Sequence, residues 1–185
     1  YSLGAIVSLL AALWVARRAD PTRSDRTAAI VALVLTANWC VAAASFPPDR
    51  IIVALSEIAR NLAWLFAIFR LFANDGRDES VHIVRPAFLA VVLVECCQLL
   101  LLALAHGGNP SDTTRQLIFE ISSILHMLVA VGVIVLLHNL YVGASASSRM
   151  ILRWSVAALV GLWAFDLNYY TVAYFSGTRP VELTV

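Results

Sequence analysis

The sequence predicts an all-α fold, a polytopic transmembrane helix bundle, and three observations carry that expectation. Of the 185 residues, 61% are hydrophobic and only 14% charged. The mean hydropathy is +0.82, whereas soluble domains are nearer half apolar. The apolar residues fall into six long runs separated by short polar connections. The basic residues, all of them arginine, gather in alternate connections.

A spanning helix needs about 20 predominantly apolar residues, because the hydrocarbon core is about 30 Å thick. Six membrane helices are expected, at about 2–16, 28–46, 51–72, 86–105, 116–141 and 150–175. The first is short, since the chain starts at Tyr1 within an apolar run. The connections carry helix breakers and caps: "RRADPTRSDRT" (17–27), "PPD" (47–49), "NDGRDES" (74–80), "HGGNPSDTT" (106–114) and "GASASS" (143–148). None is long enough to separate domains and no repeat is visible, so residues 1–185 are expected to form a single membrane domain. Helices are the expected element because lipid offers the backbone no hydrogen-bond partner.

Orientation follows from the arginines. Arg17, Arg18, Arg23, Arg26, Arg70, Arg77, Arg85, Arg149 and Arg153 fall on one side; Arg50, Arg115 and Arg179 fall on the other. Positive residues accumulate on the cytoplasmic side. The N-terminus is therefore expected outside, and so is the segment near Val185. Trp154 beside Arg153, and Tyr174 at the far end of the same run, suit the two interfacial belts. The chain reads as a piece of a longer protein, without a cleavable signal peptide.

Several function classes lack their essential residues. A net charge of +1 gives no basic face for nucleic acid. There is no lysine for a Schiff base or a lysine nucleophile, no Gly-rich phosphate loop and no Gly-x-Ser-x-Gly or His-Glu-x-x-His. Cys40, Cys96 and Cys97 lie in apolar runs and make a poor disulfide framework. Glu95, Cys96, Cys97 and His126 match no zinc spacing, so neither a metal nor another cofactor is expected. "HIVRP" at His82 lacks the acid of a phospho-acceptor box and lies just before a membrane run.

The informative residues are the polar ones inside the runs. A charge at the bilayer centre costs about 2.5–3.5 kcal/mol on insertion scales. Glu57 and Arg60 are three apart in the third run, share a helix face and can pair; Asn61 and Trp64 continue that face. Glu95, Glu120, His126 and Asp166 lie in later runs, in the central and outer layers of the predicted bundle. Either Glu57 and Arg60 form a satisfied pair that orders the bundle, or Arg60 holds a carboxylate from another helix, Asp166 being the candidate. Ser122 and Ser123 can serve His126 as helix-packing partners. The eight residues Glu57, Arg60, Asn61, Trp64, Glu95, Glu120, His126 and Asp166 form the candidate polar network or signal pocket.

Three stretches resemble a known family. "SEIARNLAWLFAIFRLF" (56–72) is similar to the third membrane helix of the sensor histidine kinases associated with the PEP-CTERM/exosortase system of Gram-negative bacteria; the matching residues are Glu57, Arg60, Ala63 and Trp64. "NLY" (139–141), "RW" (153–154) and "FDL" (165–167) resemble that family's next landmarks in order and spacing. The chain departs from the pattern at Val142–Gly143, where the family carries Arg-Asn, and at Tyr170–Thr171–Val172, where it carries Ser-Asp. The resemblance implies the membrane input domain of a two-component sensor in the bacterial inner membrane. A cytoplasmic kinase region would follow in the parent, which would dimerise and pass phosphate to a cognate response regulator of exopolysaccharide and exosortase genes. The chain itself would not be an enzyme, and its signal would be a small molecule or lipid. The alternatives are a proton-coupled carrier using Glu95, Glu120 and Asp166 as relay acids, and a structural subunit of a membrane complex.

Overall fold

The computed structural model describes residues 1–18, 24–47, 50–74, 78–108, 110–144 and 146–177. Arg23, Arg77 and Arg179, used above for orientation, lie outside them, as do the side chains of Arg18 and His82. The described residues form six helices: α1 (Ser2–Arg18), α2 (Ser24–Ser45), α3 (Ile51–Asn74), α4 (Asp78–His106), α5 (Asp112–Gly143) and α6 (Ala146–Ser176).

Five of these, α2 to α6, are long and apolar enough to cross a membrane. The exception, α1, has 17 residues, about 25 Å at 1.5 Å per residue, which falls short of the hydrocarbon core. Helix ends overrun the apolar runs at several points. The fourth helix begins at Asp78, not Pro86, and holds Pro86 inside it. The fifth begins at Asp112 and the sixth at Ala146. Hydropathy marks where a helix is apolar, whereas helical hydrogen bonding continues until a cap stops it. Ser111 is such a cap: its Oγ accepts the Thr114 N–H at 3.3 Å. At the other extreme Gly177, at φ +65°, closes α6 in the left-handed conformation that glycine adopts without strain.

The chain falls into two compact units, residues Tyr1–Gly76 and Arg77–Val185. In the first, α1 packs on α2 and α2 on α3; in the second, α4 packs on α5 and α5 on α6.

The first unit is built around small residues. Ala28, Ala32 and Ala67 form a buried cluster on which Ala63 and Trp64 pack, so α2 and α3 approach closely. Gly4 of α1 faces Cys40 of α2, where a Cβ would lie 3.1 Å from Sγ. In the second unit Gly132 lets α5 press on α4: a Cβ there would lie 2.5 Å from Val91 Cγ2.

Polar side chains are buried alongside the apolar core, and many large apolar side chains face outward. On α4 the buried positions are Val84, Val91, Glu95 and Gln98, whereas Leu89, Leu93, Leu100 and Leu104 are exposed. Both sets recur at helical spacing, on different faces of the helix. On α3, Ser56, Arg60 and Asn61 are buried while Ile51, Ile52, Leu55 and Phe66 are exposed. Large apolar side chains outward and polar ones inward is the arrangement that a lipid surround favours. Trp154 is also exposed, with the Arg153 guanidinium 5.1 Å from its ring centroid.

Candidate functional site

Arg60 is the centre of the first unit's polar group and is fully buried. Its guanidinium stands 4.2 Å from the ring centroid of Trp39 on α2. Desolvated, such a cation–π contact is worth about 2 kcal/mol. Nε and Nη2 both donate to Asn61 Oδ1, at 3.1 and 3.0 Å. Glu57 Oε1 lies 4.0 Å from Nη2, at the outer limit of an ion pair. The sequence-predicted pair is thus present but long, and the shorter polar contact is with Asn61, the next residue in the chain. Tyr1 meets Trp39 edge to face at 5.6 Å, which ties the start of α1 to the same group.

One turn further along α3, the Trp64 indole N–H donates to Thr36 Oγ1 at 3.0 Å, and Thr36 in turn donates to the Ala32 carbonyl at 2.8 Å. Trp64 therefore spans the α2–α3 seam beside the alanine cluster. Ser56 is buried and donates to the Val53 carbonyl of its own helix.

The second unit has its own polar group, centred on His126 of α5. Gln98 of α4 donates through Nε2 to the Ser122 carbonyl at 3.0 Å and places the same nitrogen 2.6 Å from His126 Nδ1. The Ser122 hydroxyl donates back to Gln98 Oε1 at 2.9 Å. His126 Nδ1 also lies 2.8 Å from the Ser122 carbonyl. A proton on Nδ1 serves the carbonyl, whereas a lone pair there serves the Gln98 amide, so the tautomer decides which bond is made. The imidazole stacks on Tyr170 of α6 at 4.1 Å between centroids and 19° between planes. Tyr170 meets Tyr169 edge to face, and Thr171 donates to the Leu167 carbonyl and reaches Met127 Sδ of α5 at 3.3 Å. Three helices are thereby linked through polar side chains in an otherwise apolar unit.

Glu95 and Asp166 are both buried in this unit, Glu95 completely. Glu95 lies three residues before Gln98 and shares its face. Glu120 stands apart from the His126 group: it accepts from Gln116 Nε2 at 2.9 Å, near the start of α5. Cys96 is exposed whereas Glu95 is buried, so the two neighbours point to different faces. Among the described residues no group of three or more His, Cys, Asp and Glu stands together. His138 is exposed, and His106 Nδ1 contacts the Leu102 carbonyl at the end of its own helix.

The eight residues singled out by sequence thus divide. Glu57, Arg60 and Asn61 come together, with Trp64 beside them. His126 gains partners on two other helices. Arg60 belongs to the first unit and Asp166 to the second. Sequence reasoning missed Trp39, Thr36, Gln98 and Tyr170. Two of these carried a signal: Gln98 is three residues from Glu95 on one face, and Trp39 lies deep in an apolar run, away from the interfacial belts where tryptophan concentrates.

No family model, no curated protein and no solved structure matches this chain.

Proposed function

We propose that this chain is the membrane-embedded signal-input domain of a bacterial sensor histidine kinase of the PEP-CTERM/exosortase type. The observation that carries the reading is the buried Arg60, stacked on Trp39 and bonded to Asn61, with Glu57 at 4.0 Å. Its support is that the residues carrying the resemblance, Glu57, Arg60 and Trp64, line the polar seam of one compact unit. A signal that draws Glu57 or Asn61 away would bias two packings of α2 against α3, and a packed seam responds to such a bias by switching, not by graded deformation.

In this reading all six helices cross the inner membrane with the N-terminus outside. The short α1 is accommodated by local thinning of the bilayer. The parent continues into a kinase region that dimerises and phosphorylates a response regulator, and the signal is a small molecule or lipid. The coding sequence beyond Val185 tests this reading: a phospho-acceptor box and ATP-binding glycines are expected, and a further transport-type membrane half would overturn it.

A second reading has its own observation. Buried Glu95 and the Gln98–Ser122–His126 group, which holds His126 within reach of two partners, suit a proton-coupled carrier. Substrate-dependent proton flux in liposomes, lost in Glu95→Gln, would favour it over the sensor.

A further inference from the structure

A groove of about 310 Å³ runs along the α2–α3 seam of the first unit, lined by Thr27, Ala28, Val31, Ala63, Phe66 and Arg70. Its wall is apolar over Ala28, Val31, Ala63 and Phe66, and it exists because alanines on both helices leave the space that larger side chains would fill. Arg70 stands at one end. Arg70 lies in the last turns of α3, where its guanidinium reaches over the Phe66 ring at 5.8 Å. Thr27, which lines the groove, follows Asp25 and Arg26 in the first turn of α2, so Arg70 is the lining residue that carries the charge.

We infer that this groove is a binding site for one anionic phospholipid, with an acyl chain against Ala28, Val31, Ala63 and Phe66 and the phosphate at Arg70. The charge pattern selects this occupant. A chain of methylenes matches the apolar wall, and a guanidinium at the end of an apolar slot matches a phosphate fixed to the end of that chain. A second helix laid in the slot would gain nothing from Arg70. A free anion would gain nothing from Phe66 and Val31, and a zwitterionic lipid would bring its own cation to Arg70. Phe66 and Val31 are about half exposed, so the slot opens outward, where a lipid can enter sideways.

Such a site requires only that α2 and α3 lie in a bilayer. It stands or falls apart from the kinase reading, and its test measures lipid, not signalling.

The test is thermal stabilisation of the chain in detergent micelles titrated with dioleoyl phosphatidylglycerol or dioleoyl phosphatidylcholine, with glycerol phosphate as the headgroup alone. Phosphatidylglycerol is expected to bind at least fivefold more tightly than phosphatidylcholine, since one arginine near an anionic headgroup contributes about that factor. Arg70→Gln should abolish the preference for the anionic lipid. Val31→Phe, an exposed position that tolerates bulk, should weaken both lipids by obstructing the slot. Arg50→Gln, before the other end of α3, should leave the preference intact. Equal affinity for the two lipids would overturn the inference. So would an unaltered preference in Arg70→Gln, or stabilisation by glycerol phosphate equal to that by the lipid. Should Arg70→Gln misfold, phosphatidylglycerol binding by the folded Val31→Phe variant at wild-type affinity would overturn it just as well.

Discussion

Replacing Arg60 separates the contacts that hold the first unit together. Arg60→Ala deletes a cation–π contact with Trp39 worth about 2 kcal/mol in a desolvated site and a charged hydrogen-bond pair to Asn61 worth about 1.5–3. It also leaves Asn61 and Glu57 facing the space that the guanidinium filled. The expected loss is about 3–5 kcal/mol, the range seen when one partner of a buried polar group is removed. Arg60→Lys keeps the charge but loses the planar stack and the two-pronged donation, and should cost less than the alanine variant. Glu57→Gln should cost about 1 kcal/mol or less, because its carboxylate stands 4.0 Å away on the same helix, where i,i+3 pairs contribute only about 0.2–0.5 kcal/mol. Reversible unfolding of the chain in mixed micelles, followed by tryptophan fluorescence and circular dichroism, measures all three. The predicted order is Ala, then Lys, then the Glu57 variant. A Glu57→Gln cost equal to that of Arg60→Ala would refute the reasoning and return the ion pair to first place. A neutral Arg60→Lys would show that charge alone matters and that the Trp39 stack does not.

Two substitution sets probe the second unit. Gly132→Ala places a Cβ 2.5 Å from Val91 Cγ2, and the overlap, about 1–3 kcal/mol, should exceed the helix-propensity gain of about 1; in a Val91→Ala background the same substitution should become stabilising, and a mutant cycle in the same micelles checks that reversal of sign. Gln98→Leu and His126→Phe, the latter keeping a ring on Tyr170, should show a coupling of about 1 kcal/mol through their shared contact; a coupling within error of zero would remove Gln98 as a partner of His126.

Much of the fold was legible in the sequence, because membrane solvation is a strong constraint. A run of about 20 apolar residues has few alternatives to a helix, and all six elements lie where the runs do. Their ends were less legible. Pro86 suggested a helix start, yet α4 begins eight residues earlier at Asp78, since a proline within a helix forfeits one hydrogen bond and kinks the element without having to end it. The division into two units left no mark in composition, because both units draw on the same apolar alphabet and the connection 74–80 resembles the other loops.

The polar residues were legible as a set and only partly as contacts. Helical spacing put Glu57, Arg60 and Trp64 on one face, because residues three and four apart are neighbours on a helix. It could not show that Arg60 would stack on Trp39, which lies 21 positions away on a neighbouring helix, or that Gln98 would reach Ser122 and His126. Those contacts depend on how helices rotate against each other, and small residues such as Gly132 and Ala32 set that rotation without announcing which partner they admit.

For the proposed sensor reading, the most direct measurement is autophosphorylation of the proposed kinase parent carrying Arg60→Ala in lipid nanodiscs, with membrane insertion checked by its abundance in the membrane fraction. The sensor reading predicts normal insertion and a several-fold change in basal kinase output, with Arg60→Lys in between. Wild-type output together with a wild-type response to inducer, at normal abundance, would contradict it.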